Sequence, residues 1–370
     1  MPKRTHGARS LAFGISLAAL MAALSQSARA QVTPAAGYVP PDDKPTMKVG
    51  LTLFADYTYT DSPTAKNADG SDYNPNAFNV SRAYLNFTGQ LHHLLSYRVT
   101  TDLVRVTDTT GTLSGSYAVR VKYAFAQFNM DDWLEKGSWI RLGQQQTPYI
   151  DYAEGIYRYR FQYPTMVDKD GFLTSSDLGL SGHFNFPGNY GDVHVGYYNG
   201  EGYNKAEAND QKGLEMRASL RPLPGIAIAK GWRVTGFLVS DHVAKDQKRD
   251  RWLVDTTFEN PYVNAGFTYI EATNQSAPGS VEVKPKDWSI WLTPRTPFGL
   301  EGLIRYDELK PSQLTDQKQK RTIVGVAYWF NFGHGVTSAL MADYTREVFD
   351  NYTPARPDNT FYALHTLVNF

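Results

Sequence analysis

Residues 360–370, TFYALHTLVNF, close the chain and carry the argument for its fold. Counting back from the terminus, Phe370, Val368, Thr366, Leu364 and Tyr362 share one face, and Asn369, Leu367, His365, Ala363 and Phe361 share the other. A period of two is a β-strand. Chain ends fray unless something holds them, so a strand that finishes on an aromatic must be paired along both edges. The alternative is an edge strand of a soluble sandwich.

The opposite end points to export. Lys3, Arg4 and Arg9 precede an apolar run over residues 11–24, and Ala28-Arg29-Ala30 supplies a small-x-small site, the pattern of a secretory signal peptide cleaved after Ala30. The run is too short to cross a bilayer as a helix, and no other stretch reaches 18 apolar residues, so a helical membrane protein is excluded. The signal removes four of the 37 Lys and Arg and none of the 37 Asp and Glu, leaving 33 against 37. A mature charge of −4 means that any preference for anions must come from local arrangement. Cysteine is absent, which removes disulfides, thiol nucleophiles and Cys-based metal sites.

Tyr, Phe and Trp number 24, 19 and 7, yet mean hydropathy is negative. That combination suits a sheet with one lipid face and one wet face. The ending resembles the closing strand of bacterial outer-membrane β-barrels, which finish in Phe with apolar residues at every second position before it. No linker-like shift divides the mature chain, so it reads as one domain: signal peptide 1–30, a Pro-rich periplasmic tail 31–47, and a barrel over 48–370.

Alternation places sixteen antiparallel strands near 48–60, 79–89, 95–105, 118–129, 138–147, 176–186, 192–199, 213–221, 231–240, 250–259, 262–271, 287–293, 300–308, 321–330, 336–346 and 360–370. Long and short connections alternate, as in barrels with long extracellular loops and short periplasmic turns, and this puts both termini in the periplasm. Pro187-Gly188-Asn189, Asn260-Pro261 and Gly333-His334-Gly335 give several short connections turn chemistry. The pattern is poorest over 231–240.

Magnitude decides which face looks inward. On strands two to five, one alternating set holds Leu85, Phe87, Val99, Val119, Val121, Tyr123, Phe125 and Leu142, and the other holds Arg82, Arg98, Arg120, Lys122 and Arg141. Turning those cations to lipid costs roughly 2–4 kcal/mol each near the midplane. They therefore form a basic stripe on the lumen wall, or else lie scattered near the rims or pair with lumenal acids such as Asp56 and Asp102. Arg217, Arg221 and Arg305 share that parity and read as ordinary pairs with acids of their own strands.

The longest connection, 148–175, carries PYIDYAEGIYRYRFQYP, too aromatic for a freely solvated loop. A loop this long usually has a function. Sixteen strands enclose an aqueous channel, and this loop is expected to fold inward and narrow it. An extracellular lid or a packing loop between subunits is the alternative.

Arg82-Ala83-Tyr84-Leu85-Asn86-Phe87-x-Gly89, Arg141-Leu142-Gly143-Gln144-x-x-x-Pro148 and Tyr198-Asn199-Gly200-x-Gly202, with Phe370, together make the chain resemble the phosphate-selective porins O and P and their relatives. The resemblance covers essentially the whole mature chain. It implies a sixteen-stranded homotrimeric outer-membrane porin, a passive channel for small hydrophilic solutes preferring anions such as phosphate. It also implies contacts with outer-membrane lipid and with the assembly machinery through Phe370. Carried over by position, Arg82, Arg98, Arg120, Lys122 and Arg141 are the basic wall, with Tyr152, Tyr157, Arg158 and Arg160 on the constriction. Guanidinium forks suit tetrahedral oxyanions, and several weak sites in series let the ion leave. Against this stand Asp151, Glu154, Asp168 and Asp170 in the same loop, which favour a general diffusion porin with a transverse field.

Other classes find less support. G-x-S-x-G, G-x-x-x-x-G-K-[ST], H-E-x-x-H and Rossmann glycines are absent, so no enzyme is expected, although His183, His194 and many serines could line a wall site. No cofactor or metal is implied, since His92 and His93 fall in a turn where adjacent residues point apart. A plugged receptor needs far more than the 17 residues of the tail, and nucleic-acid binding has no basic surface to use. A non-conducting structural barrel or adhesin is the remaining alternative. Aromatics exposed on strands one, two and sixteen fit a subunit interface or lipid equally.

Overall fold

The computed structural model describes residues 44–107 and 111–370. The expected signal peptide, its cleavage site and most of the 31–47 tail lie outside the described residues. Sixteen strands form one closed antiparallel barrel. They are β1 (Thr46–Ser62), β2 (Asn76–His92), β3 (Leu95–Arg105), β4 (Tyr117–Asn129), β5 (Trp139–Gln146), β6 (Ser176–Asn185), β7 (Gly191–Tyr198) and β8 (Gly213–Leu220). They continue as β9 (Trp232–Ser240), β10 (Arg249–Glu259), β11 (Val263–Asn274), β12 (Lys286–Pro294), β13 (Leu300–Lys310), β14 (Lys318–Asn331), β15 (Thr337–Asp350) and β16 (Asn359–Asn369). Every strand expected from alternation is present, most within a few residues of the expected bounds. A two-stranded ribbon, Ala65–Lys66 with Asp72–Tyr73, sits in the first long loop.

The terminal strand is paired on both edges, with β1 and with β15. At the seam Leu51 donates its N–H to the Phe370 carbonyl (3.1 Å) and Phe370 donates back to Leu51 (3.0 Å). A Cβ at Gly50 would lie 2.7 Å from the Phe370 oxygen, so this close approach requires glycine.

The outer face is apolar: Leu85, Val119, Leu142, Leu180, Ile304, Val326 and Leu364 are all exposed. Aromatic clusters bound it, with Trp252–Tyr269 and Trp288–Tyr306 toward the long-loop end and Tyr328–Phe330–Phe332 toward the short-turn end. An apolar band between aromatic girdles is the surface of a barrel built to sit in lipid. Tyr57–Phe78 and Tyr344–Tyr362 make further contacts near the seam, on strands one, two, fifteen and sixteen.

Two bulges correct the expected faces. The β1–β2 register slips at Phe54/Ala55, and the β3–β4 register slips at Thr100/Thr101. The second slip makes Lys122 the extra residue, and a bulge reverses parity beyond it. Tyr123 and Phe125, expected to face lipid with Val119 and Val121, are therefore buried inside the barrel, opposite Thr100 and Arg98. Lys122 stays inward, over the rings of Tyr84 (4.8 Å) and Tyr123 (5.1 Å).

The lumen wall from β9 onward is also unlike a simple wet face. Phe237, Val239, Leu253, Ile270, Trp291, Leu303, Ile323, Trp329 and Met341 are all buried inside. The inward loop covers them. It contains α1 (Ile150–Tyr157) and α2 (Met166–Lys169), and its Tyr149, Ile150, Ile156, Tyr157, Tyr159, Phe161, Met166, Val167 and Phe172 pack into the same two clusters. Each large apolar side chain buried this way contributes roughly 1.5–3 kcal/mol. Apolar residues on both faces explain the poor alternation over 231–240: Phe237 and Val239 face the loop while Val234 and Leu238 are exposed outside.

Candidate functional site

The loop is fastened to one wall by polar contacts as well as packing. Arg217 donates to the Pro148 carbonyl (2.7 Å), Asn264 to that of Ile156 (2.9 Å), Arg305 to that of Pro164 (2.7 Å) and Arg251 to that of Phe172 (3.0 Å). The Tyr152 hydroxyl lies 2.7 Å from Ser219 and 2.9 Å from Thr235. Arg321 holds Asp170 through two hydrogen bonds (2.8 and 3.0 Å) while also contacting Asp307 and Glu347 (2.9 Å each). Charge-assisted bonds of this kind are about twice as strong as neutral ones. Held on the wall from β8 to β15, the loop leaves the lumen open toward β1–β5.

Arg158 ends α1 in the left-handed region (φ 67°), donating its N–H to the Glu154 carbonyl (2.8 Å). That conformation costs a non-glycine residue about 1–2 kcal/mol. It turns the chain so that the guanidinium reaches Glu301 (3.2 Å) and covers Trp329 (4.2 Å). Arg160 then pairs with Glu154 (2.6 Å) and Asp168 (3.0 Å). Burial pushes the Glu154 carboxyl up to about 7, with the Arg160 guanidinium pulling the other way. Burial opposes the Arg160 charge too, but Glu154 and Asp168 overcome it and hold that guanidinium above its ordinary value.

Facing the loop, the five expected cations do share the inner wall. Over seven positions of β4, from Arg120 to the Gln127 that bonds Arg141, the stripe runs roughly 20 Å. Its upper end is paired: Asp102 takes Arg120 (2.8 Å) and Arg82 (3.7 Å). Asp56 instead accepts from Asn79 (3.0 Å). Lower down, Arg98 donates to Thr100 (2.9 Å) and Asn86 (3.0 Å), Lys122 to Tyr84 (3.3 Å), and Arg141 to Gln127 (2.7 Å) and Gln146 (3.1 Å). Among the described residues no carboxylate lies within ion-pair distance of these three.

A cavity of about 410 Å³ lies between stripe and loop, and its charged lining is Arg98, Lys122, Arg158 and Arg160 against Asp151 and Glu154. Asp151 accepts from the Tyr123 hydroxyl (3.0 Å). The remaining loop acids are already matched, Asp168 by Arg160 and Asp170 by Arg321. The lining thus holds four cations and two carboxylates, of which Arg158 and Arg160 are already engaged by Glu301, Glu154 and Asp168, while Arg98 and Lys122 have no carboxylate partner among the described residues.

Similarity to solved structures follows this geometry. An anion-selective porin from Comamonas acidovorans superposes with a TM-score of 0.61 at 12% identity, covering 88% of this chain and 100% of that one. OmpF of Salmonella typhi, in complex with daunomycin, gives 0.59 at 14% identity over 88% and 97%. The outer membrane channel DcaP of Acinetobacter baumannii gives 0.57 at 11% identity over 91% and 100%. The barrel is porin-like. No family model and no curated protein sequence matches the chain.

Several placements differ from expectation. Tyr157 is shut away from the lumen, packed edge-on against Trp291 (5.3 Å) with Arg305 beside it, because α1 presents that side to the wall. Tyr152 is tied to the β8–β9 wall and lies under Arg217 (3.9 Å). Arg217 pairs with Asp192 of the neighbouring strand, not with an acid of its own, whereas Arg305 pairs with Asp307 of its own strand (2.7 Å). The His92 and His93 rings do not point apart but lie 4.2 Å from one another, with His93 3.1 Å from Asp132. Sequence reasoning missed Tyr203, whose hydroxyl accepts from Arg120 (2.6 Å). It also missed the inward-facing Arg233 and Arg321. Their parity was legible, but their partners are distant in the chain.

Proposed function

We propose that the protein is an outer-membrane porin, a passive diffusion channel for small hydrophilic solutes with a preference for anions such as phosphate. The observation carrying this reading is the cavity lining of four cations and two carboxylates, with Arg98 and Lys122 bonded only to neutral groups. Anions gain there from multiple charge-assisted donors, and neutral partners leave those charges available to a passing ion. The chain carries no catalytic step and needs no cofactor in this scheme. Residues 1–30 direct export, the short turns and both termini face the periplasm, and the 148–175 loop sets the cut-off. Assembly as a homotrimer in outer-membrane lipid, recognised through Phe370, completes the reading.

A general diffusion porin is the second reading. Asp151, held by Tyr123 beside the basic wall, favours it, because opposed charges create a transverse field. Reversal potential in a planar bilayer under a KCl gradient separates the two. Anion preference that falls in Arg98→Gln and Lys122→Gln variants is expected. A potential near zero, or cation selectivity, assigns the general porin, and a refolded barrel that carries no current assigns a structural role.

A further inference from the structure

A second cavity, about 240 Å³, lies on the other side of α1, against β5–β9 at the short-turn end of the barrel. It meets the first at Asp151 and Gly155, which line both. Its volume falls just under the roughly 300–1,000 Å³ of drug-sized ligand sites, which suits a small organic molecule. Four guanidiniums line it (Arg141, Arg217, Arg221 and Arg233) against the carboxylates of Asp151 and Asp192. Asp192 is engaged by Arg217 and by His183 (3.1 Å). Arg233 is matched by Glu259 (2.5 Å) outside the lining. Arg141 and Arg221 have no carboxylate within ion-pair distance among the described residues.

Two nitrogens are left without a partner deep in the wall. Arg217, 3% exposed, has no hydrogen-bond partner for Nη1, and His194, 5% exposed, has none for Nε2. Buried polar groups of native proteins are ordinarily satisfied, and an orphan of this kind asks for a ligand or water. Apolar surface lies beside them, from Pro148 and Ile156. Arg221 directly follows β8 and is buried on the same inward side as Arg217, four residues and roughly 13 Å away between Cα atoms. Separated cations flanking an apolar wall suit two carboxylates joined by a short carbon chain better than one compact oxyanion.

We propose that this cavity is a discrete binding site for small dicarboxylates, with Arg217 and His194 receiving one carboxylate, Arg221 the other, and Ile156 and Pro148 covering the carbon chain. The proposal rests on the channel reading above, since the site is reached through the lumen. It differs from the basic stripe in position and in ligand.

The test is the mature, refolded protein in a planar bilayer in KCl, with succinate titrated against the current of single channels. Succinate is expected to block transiently, and Arg221→Gln to weaken the block by roughly tenfold or more, the loss of one charge-assisted bond. Arg217→Gln should do the same. Because Arg217 also holds the loop, Arg221→Gln carries the test if that variant fails to fold. Acetate or inorganic phosphate blocking as strongly as succinate with the same dependence on Arg221 would overturn the dicarboxylate assignment. Block removed by Arg98→Gln but kept in Arg221→Gln would place binding on the opposite wall and overturn the site. A channel that conducts but ignores succinate refutes this inference alone, whereas absence of any channel refutes the porin reading.

Discussion

Glu154 offers the sharpest perturbation, because its carboxyl is pushed up to about 7 and it lines the cavity between stripe and loop. Above pH 7 it is ionised, and four cations face two carboxylates; as pH falls through 7 it takes a proton, and four face one. Anion preference should therefore rise in acid and fall in base. At roughly 6 Å, one unit charge acts on a permeating anion with about 0.7 kcal/mol in bulk water and about 2.8 kcal/mol at an effective dielectric near 20. Salt near 0.15 M screens over about 8 Å, so the lower half of that range applies, and because the same charge favours a cation by what it costs an anion, the anion-to-cation permeability ratio should change by roughly tenfold or more. The assay is reversal potential under a KCl gradient at pH 5.5, 7 and 8.5, for the parent and for Glu154→Gln. The variant should hold the acid-limit selectivity at every pH. A flat profile in the parent, or the same profile in the variant, would refute the role given to Glu154. In the second case titration belongs to another lumenal group.

Deleting 152–160 should raise single-channel conductance, since those residues carry Glu154, Arg158 and Arg160 into the lumen. It should also lower thermal stability by several kcal/mol, because Ile156, Tyr157 and Tyr159 leave the apolar wall they cover and each contributes roughly 1.5–3 kcal/mol; unchanged conductance would count against a constriction there. Gly50→Val should impair closure at the seam, where a Cβ would sit 2.7 Å from the Phe370 oxygen. Loss of the heat-modifiable compact band on gels would report it, and wild-type folding yield would show that the seam has slack.

The terminal stretch illustrates how much of this protein local pattern determines. Alternation needs only near neighbours, and lipid imposes it strongly, so the closing strand, the sixteen-strand count and the inward parity of Arg82, Arg98, Arg120 and Arg141 could be read directly. The aromatic density of 148–175 likewise required burial somewhere. Pattern failed wherever one residue of register or a distant partner decided the outcome. Tyr123 and Phe125 face inward because a bulge at Lys122 reverses the count, and periodicity cannot see an inserted residue. Tyr157 faces the wall because α1 turns it there, against Trp291, 134 positions along the chain. Asp170 is silenced by Arg321 and Asp102 by Arg120, while Arg98, Lys122 and Arg141 stay without ion partners. Local sequence alone thus determined a closed barrel with a basic lumen wall and a buried loop. Which charges remain available to an ion was decided only in the tertiary structure, because ion pairing depends on distances of 3–4 Å between strands far apart in the chain.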